Sequence, residues 1–582
     1  MSYFDDASLV MIPSGYKDQK VYSVKPLDGS GDLTFSRASS ATRVASNGLI
    51  EKVRTNLLLQ SNTFSTTWAT ANATLTSGQN GYDGSSNAWL LKSNTSSAGH
   101  NCTQSVTTSN INTFSVYAKA GGYNYIALYS SGLVEGRFFN LSNGTVGNTM
   151  LGTPLDSKIE TIGGGWYRCS VTFNGNISSA ETWMSPDGSS FSFTGDGTSG
   201  IYIQNAQAET GDIATDYIAT TTAAVSVGPV SGLPRLDYLN STCPRLLLEP
   251  QRSSLVLYSE QQNNAAWTKA GATITANATA SPDGYTNADK VVEDTSGGGT
   301  HGTYQSASVT SGTTYTWSGF FKAAERTAVE VSAQTSGTYN AKFNLSNGTV
   351  ISVDSGATAS VVNYGNGWYR CIISAPTAST TAFFNWWMLN SSNQGVYTGN
   401  GTSGVFAWGC QLEAGAYATS YIPTLGTSVT RVADVTTKTG ISSLIGSTEG
   451  VLFVEADITL NSETSRIFMD VNDNDLTNRV VITISNNVIG GFVQGVTRVS
   501  YTIPSSGRYK IAFGYKSGDF VLYVNGVQRS TSSASVTFSG MNQLFLGHTF
   551  AGTTTQPSDP IAQALLFKTR LTNAQLAELT TL

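Results

Sequence analysis

The chain has 582 residues, 12% charged and 40% hydrophobic, with 59 glycines and a formal net charge of −6. So many apolar and aromatic side chains at so low a charge exclude an intrinsically disordered chain. A mildly acidic balance without runs of Lys or Arg also excludes an electrostatic surface for nucleic acid or anionic lipid.

Length alone sets a prior of about three to four domains. The first apolar run, at 9–12, follows Asp5 and Asp6 rather than a basic segment, and no stretch reaches the roughly 18 apolar residues of a membrane span. Neither a Sec-type signal nor a transmembrane helix is expected. Residues 1–50 carry few periodic apolar positions and are too short for a core of their own. They are expected to dock on another surface.

Two homologous modules follow, at 51–222 and 252–432. FNLSNGTV at 139–146 recurs at 343–350, GWYRC at 165–169 recurs at 367–371, and FSVYAKA at 114–120 answers WSGFFKA at 317–323. The pair Trp183 and Met184 answers Trp387 and Met388, and the closing QAE at 207–209 answers QLE at 411–413. A repeat of this length means two copies of one fold.

Within each module, short runs rich in Val, Ile, Thr, Tyr and Phe are separated by Asn-Gly, Asp-Gly and Gly-Ser. That pattern predicts antiparallel strands joined by tight turns, with SNGT at 142–145 and 346–349 as type I′ hairpin turns. Burying one face of each sheet then requires a two-sheet sandwich.

The stretch 223–251, with Pro229, Pro234, Pro244 and Pro250, is expected to be an extended connector. The last region, 433–582, has strands at 451–458, 479–484, 509–515, 520–524 and 543–546. It ends in a predicted helix that Thr572 caps ahead of NAQLAEL. Five scattered cysteines without a CxxC pair read as small buried apolar residues of a chain made in a reducing cytoplasm.

The 440–582 region, with RYKIAFGY at 508–515, FVLYVNG at 520–526, LFLG at 544–547 and LLFKTRL at 565–571, resembles a concanavalin A or laminin G-like sandwich. The two modules resemble the jelly-roll, carbohydrate-binding-module-like sandwiches of bacteriophage fibre and head-spike proteins. That likeness is carried by NLLLQSN at 56–62, SPDG at 281–284 and WGCQLEAG at 408–415. The joining pieces FSRASSATRV at 35–44, PRLDY at 234–238 and CPRLLLEPQR at 243–252 look like proteins of the same kind.

This resemblance implies an all-β, non-enzymatic virion appendage, a phage head fibre or spike. Its modules would adhere to host or environmental glycans, its residues 1–50 would attach to the capsid or another virion protein, and it would assemble as a homotrimer in the host cytoplasm. The alternatives are a tail-fibre receptor-binding protein and a tail-fibre polysaccharide depolymerase.

Sugar-binding sandwiches stack sugar rings on exposed aromatics, and candidates here are Trp183, Trp386 and Trp408, with most other tryptophans assigned to the core. Neighbouring strand residues face opposite ways. Because Trp387 aligns with Trp183, Trp386 is the extra ring and the expected outward contact.

No catalytic residues are assigned. Glu455 and Asp457 lie in phase on one strand, but the third position of a glucanase-type Glu-x-Asp-x-x-Glu set is Leu460, leaving the set incomplete. Asp470, Asn472 and Asn474 place oxygens as at the start of a calcium loop, yet position 6 is Asp475 rather than glycine. By resemblance, Glu209 and Glu413 would ligate a structural calcium; buried carboxylates bonded to backbone are the other reading.

Overall fold

The computed structural model describes residues 3–335, 337–460, 465–475, 477–538, 540–549, 552, 556–557 and 559–582. It divides into two compact units, residues 53–228 and residues 1–52 with 229–582. Their elements are almost entirely antiparallel strands, as the sequence pattern requires.

The 53–228 unit is a sandwich of two six-stranded sheets. One runs Asp156–Gly163, Trp166–Asn174, Ile111–Gly121, Gly200–Thr210, Ala88–Ser93, Ala73–Gln79. The other runs Thr145–Leu151, Glu135–Asn140, Tyr125–Ser130, Ser179–Ser185, Asn101–Ser105, Ala69–Ala71. Alternate residues of both sheets meet in one core that includes Phe114, Val116, Ile126, Phe139, Met184 and Ile203. The chain enters and leaves through a paired two-stranded stalk, Arg54–Asn56 against Val225–Val227.

The second module, within the other unit, repeats this strand order element for element and has its own stalk, Arg252–Ser254 against Val429–Arg431. Repeated sequence therefore corresponds to repeated topology. At the SNGT turns only Gly144 and Gly348 take positive φ, +70° and +67°, so they are not type I′. The pair Asn140 and Thr145 closes a four-residue loop whose last position alone needs glycine.

The C-terminal sandwich draws on more of the chain than 433–582. Leu9–Met11 pairs with Ile561–Phe567, placing Leu9 opposite Leu566. Leu33–Ser36 pairs with Val435–Thr439 in the facing sheet, placing Phe35 opposite Thr436. The two short strands of the supposed connector, Arg235–Asp237 and Arg245–Leu247, extend the first sheet.

Leu9, Met11, Val21, Leu33 and Phe35 share a core with Leu236, Leu246, Phe468, Ile511 and Leu522. Residues 1–50 are thus neither a separate segment nor a free arm, and 223–251 is not a simple surface connector. Both modules are insertions into this sandwich. The predicted helix forms at Asn573–Thr580, with Thr572 and Gln575 making a reciprocal capping box and Leu576 packed inward.

A buried ionic hub ties together the chain segments of the 1–52 and 229–582 unit. Arg37 pairs with Asp434 at 2.9 Å, and Arg235 and Arg431 each reach Glu249 at 2.7 Å. Arg235 also bonds Asp434, which accepts the Glu249 N–H at 2.9 Å. Burial alone would push the Glu249 carboxyl up, but the two guanidiniums outweigh it and hold the group down to about 2.

Candidate functional site

Strand Thr381–Met388 carries the residues that decide where a ligand can lie. Ala382, Phe384, Trp386 and Met388 point into the module core, so Phe383, Asn385 and Trp387 lie on the opposite face, where the two rings are half-buried and Asn385 is covered. The expectation that Trp386 faces out is corrected: its ring is fully buried 4.9 Å from Phe321, and its Nε1–H donates to Gln262 Oε1 at 3.4 Å. Aligning Trp387 with Trp183 relates the two copies but does not say which face is core. Trp183 and Trp387 both face outward, half-buried, while Thr182, at the Trp386 position, is buried.

Trp387 belongs to a row of rings. Tyr304, on the neighbouring strand, lies 6.1 Å from Trp387 and 6.4 Å from Phe383 by ring centroid, and all three are half-buried. Polar groups flank the row: Asn385 donates to Gln334 Oε1 at 3.0 Å, and Ser332 donates to Asn340 Oδ1 at 2.8 Å. Glu330 stands opposite Trp387 in the ladder, with Lys342 Nζ 3.7 Å away. Burial raises the Glu330 carboxyl against the pull of that lysine. Tyr304 and Phe383 were not singled out from the sequence, although Phe383, Asn385 and Trp387 share one strand parity that marks a common face.

Trp183 sits at the matching position in the 53–228 unit. Its Nε1–H donates to Glu181 Oε2 at 3.0 Å, and its ring makes edge contacts with Tyr129 and Phe191 at 6.1 and 6.0 Å. The two outward faces are therefore furnished differently around one tryptophan.

Trp408 is not a platform. It points away from its own sandwich, but the hairpin of Arg43–Val44 and Ile50–Glu51 closes over it with Val44 and Ile50, beside Phe320 and Tyr421. Lys52 Nζ stands 5.2 Å from the ring and bridges Glu260 and Asp283 at 2.8 and 2.7 Å. Burial would lower that ammonium, but the two carboxylates raise it well above the usual lysine value. In the other module the equivalent residue is Gln204, which donates to Asp83 at 3.2 Å.

The calcium candidates do not fit a cation. Glu209 accepts from Thr215 N at 2.9 Å, Thr215 Oγ1 and Gln207 Nε2, and Glu413 accepts the same set from Thr419 and Gln411. A carboxylate ringed by donors presents hydrogens where a metal would need oxygens. Asp470 is buried with Arg479 at 3.4 Å and accepts from Asn472 Nδ2 at 3.0 Å, while the Asn474 N–H donates to Asn472 Oδ1. Among the described residues no three His, Cys, Asp or Glu side chains gather as a metal set.

Glu455 and Asp457 are ion-paired, Glu455 with Arg508 at 3.6 Å and Asp457 with both Arg508 at 3.3 Å and Arg245. Gln563 also donates to Glu455, at 2.5 Å. Of the cysteines, four are buried and Cys243 is exposed, against the expectation for it.

The described residues thus define an all-β protein of three antiparallel sandwiches, two of them copies of one module. No family model matches the chain, and no curated protein matches it. Among solved structures it is similar to the Ruminococcus gnavus IT-sialidase CBM40, with 13% identity over 24% of this chain and 86% of that one at a TM-score of 0.21. It is also similar to the tandem CBM22 domains of Paenibacillus barcinonensis Xyn10C, with 12% identity over 65% of this chain and 100% of that one at 0.19. Domains LG4-5 of the mouse laminin alpha1 chain match with 9% identity over 45% of this chain and 85% of that one at 0.16. At TM-scores this low the likenesses carry no argument, and the fold rests on the sheets and registers above.

Proposed function

We propose that the protein is a non-enzymatic glycan-binding display protein, and that the outward face around Trp387 is its contact surface. The observation that carries this reading is the row Phe383, Tyr304 and Trp387 beside Asn385 and Gln334. The half-buried rings offer the CH faces of a sugar a stacking surface, while the exposed amide of Gln334, oriented by buried Asn385, is placed to bond its hydroxyls.

The motifs of the joining pieces support placing this protein on a phage virion as a head fibre or spike, assembled as a trimer so that several weak sites act together. Attachment, expected of residues 1–50 alone, then falls to the folded sandwich that they complete.

The test is a glycan array with the full chain and with Trp387→Ala. Retention of one or more glycans by the parent, lost in the variant, supports the reading. An array without signal for the parent sinks it, and release of new reducing ends from host polysaccharide by the purified protein would replace it with the depolymerase reading. Light scattering decides the trimer.

A further inference from the structure

A cavity of about 680 Å3 opens within the 1–52 and 229–582 unit, away from the Trp387 face. Its floor is the outward side of the other sheet of the second module, with Ser360, Val362, Arg370 and Ile372. Its walls come from Tyr417, from Val44 and Ile50 of the hairpin, and from Leu239 and Leu247 of the connecting strands. Thr459, Leu460, Ser506 and Pro560 of the C-terminal sandwich complete the rim. Its volume falls in the range of about 300 to 1,000 Å3 that small-molecule sites occupy.

The charged groups in this lining already have partners inside the protein. Arg43 bonds Glu51 at 2.7 Å and Tyr16 at 2.8 Å, and Arg370 donates to the Thr419 carbonyl at 2.6 Å and to Ser318. Asp237 accepts the N–H groups of Val44 and Leu239 at 2.8 and 2.9 Å, and Glu249 belongs to the ionic hub. Two cations and two anions, each satisfied by the fold, leave no net charge to recruit an ion.

What the cavity offers a ligand is apolar wall from Leu239, Leu247, Val362 and Leu460, the rings of Tyr364 and Tyr417, and hydroxyls at Thr358, Ser360, Thr459 and Ser506. Apolar faces edged by hydroxyls complement a pyranose, which has CH faces and an equatorial rim of OH groups. A fatty chain would leave the hydroxyl rim without bonds, and an acidic sugar would lack a cation.

We propose that this cavity is a second saccharide site, taking a neutral mono- or disaccharide unit independently of the Trp387 face. It is built by the second module, the connecting strands and the C-terminal sandwich together, so it belongs to the assembled unit and not to either module copy alone.

The experiment is calorimetric titration of the full chain with maltose, cellobiose, lactose and chitobiose, with galacturonate and decanoate as charged and apolar probes. Ser360→Trp fills the floor from an exposed strand position, Thr358→Tyr is the second filling variant, and Trp387→Ala removes the other face. Thermal melts confirm folding of each.

The expected result is saturable binding of at least one neutral disaccharide that persists in Trp387→Ala and is weakened about tenfold or more when either folded filling variant is added to that background. Binding lost in Trp387→Ala but kept in both filling variants overturns the cavity site while sparing the platform. Binding of none of the neutral sugars, or preference for galacturonate or decanoate, overturns the proposal outright.

Discussion

Leu9 and Leu566 stand opposite one another in an antiparallel ladder, so the start of the chain is a strand of the sandwich that its end builds. Leu33 and Phe35 do the same for the facing sheet, and all three side chains are fully buried. Removing residues 1–36 would strip five large apolar side chains from one core, each worth about 1.5 to 3 kcal/mol of burial. Such a deletion is expected to abolish the cooperative transition of the C-terminal sandwich. Leu33→Ala should cost about 2 to 5 kcal/mol. Urea denaturation checks both, and a deletion variant that melts like the parent would refute this reading of the core. Loss of virion incorporation on deleting residues 1–50 would therefore report unfolding as readily as lost attachment.

Trp386 and Trp387 are predicted to separate stability from binding. Trp386→Ala empties a site enclosed by Phe321 and Gln262, and should cost about 3 to 5 kcal/mol. Trp387→Ala leaves the core intact, and should change stability by about 1 kcal/mol or less while removing retention of the glycans held on the Trp387 face. Paired melts and array binding decide it. Equal destabilisation by the two variants would contradict the assigned faces.

The two modules were legible in the sequence because duplication left identical segments in one register, and the turns and alternation gave the strands. The phase of Trp386 was not, because alignment between copies fixes equivalence and not orientation; the parity of Ala382, Phe384 and Met388 carries that information. The place of residues 9–36 was hidden for another reason. Their pairing partners lie at the far end of the chain, and a short strand such as Leu33–Ser36 has no local signature of the sheet it joins. Trp408 shows the same gap: it does face away from its sheet, but a distant hairpin covers it.

Calcium is predicted to leave stability unchanged. Glu209 and Glu413 are each saturated by an amide, a hydroxyl and a backbone N–H. A melt in excess calcium should overlay one in chelator, and Glu413→Ala should destabilise in both by about 1 to 3 kcal/mol through its lost partners. A calcium-dependent rise in melting temperature that Glu413→Ala removes would reverse this assignment.

The ionic hub sets the response to acid. The folded Glu249 carboxyl lies at about 2, below its ordinary 4.5, so its contribution is fully present above pH of about 4.5 and is lost as pH falls toward 2. Stability of the 1–52 and 229–582 unit should decline through that window. Glu249→Gln should lower stability at pH 7 by about 3 to 5 kcal/mol, since it leaves Arg235 and Arg431 buried without their shared anion. Chemical denaturation of parent and variant from pH 2 to 7 measures both, and parallel curves for the two would refute the role given to Glu249.

Asp470 has the opposite sign. Burial raises its carboxyl from 3.8 to about 6, with Asn472 and Arg479 opposing only part of the shift. The folded state therefore holds a proton that the unfolded state has released between pH of about 4 and 6, and stability falls as pH rises through that interval. At about 1.4 kcal/mol per pKa unit the loss is about 2 to 3 kcal/mol by pH 7. Asp470→Asn keeps the oxygen that accepts from Asn472 Nδ2 and removes the buried charge, so it should raise stability at pH 7 and leave it little changed at pH 4. The difference between variant and parent, plotted against pH, should rise between pH 4 and 6 and then level off. A difference that is flat, or negative at pH 7, would mean that the Arg479 ion pair at 3.4 Å outweighs the cost of burying the carboxylate.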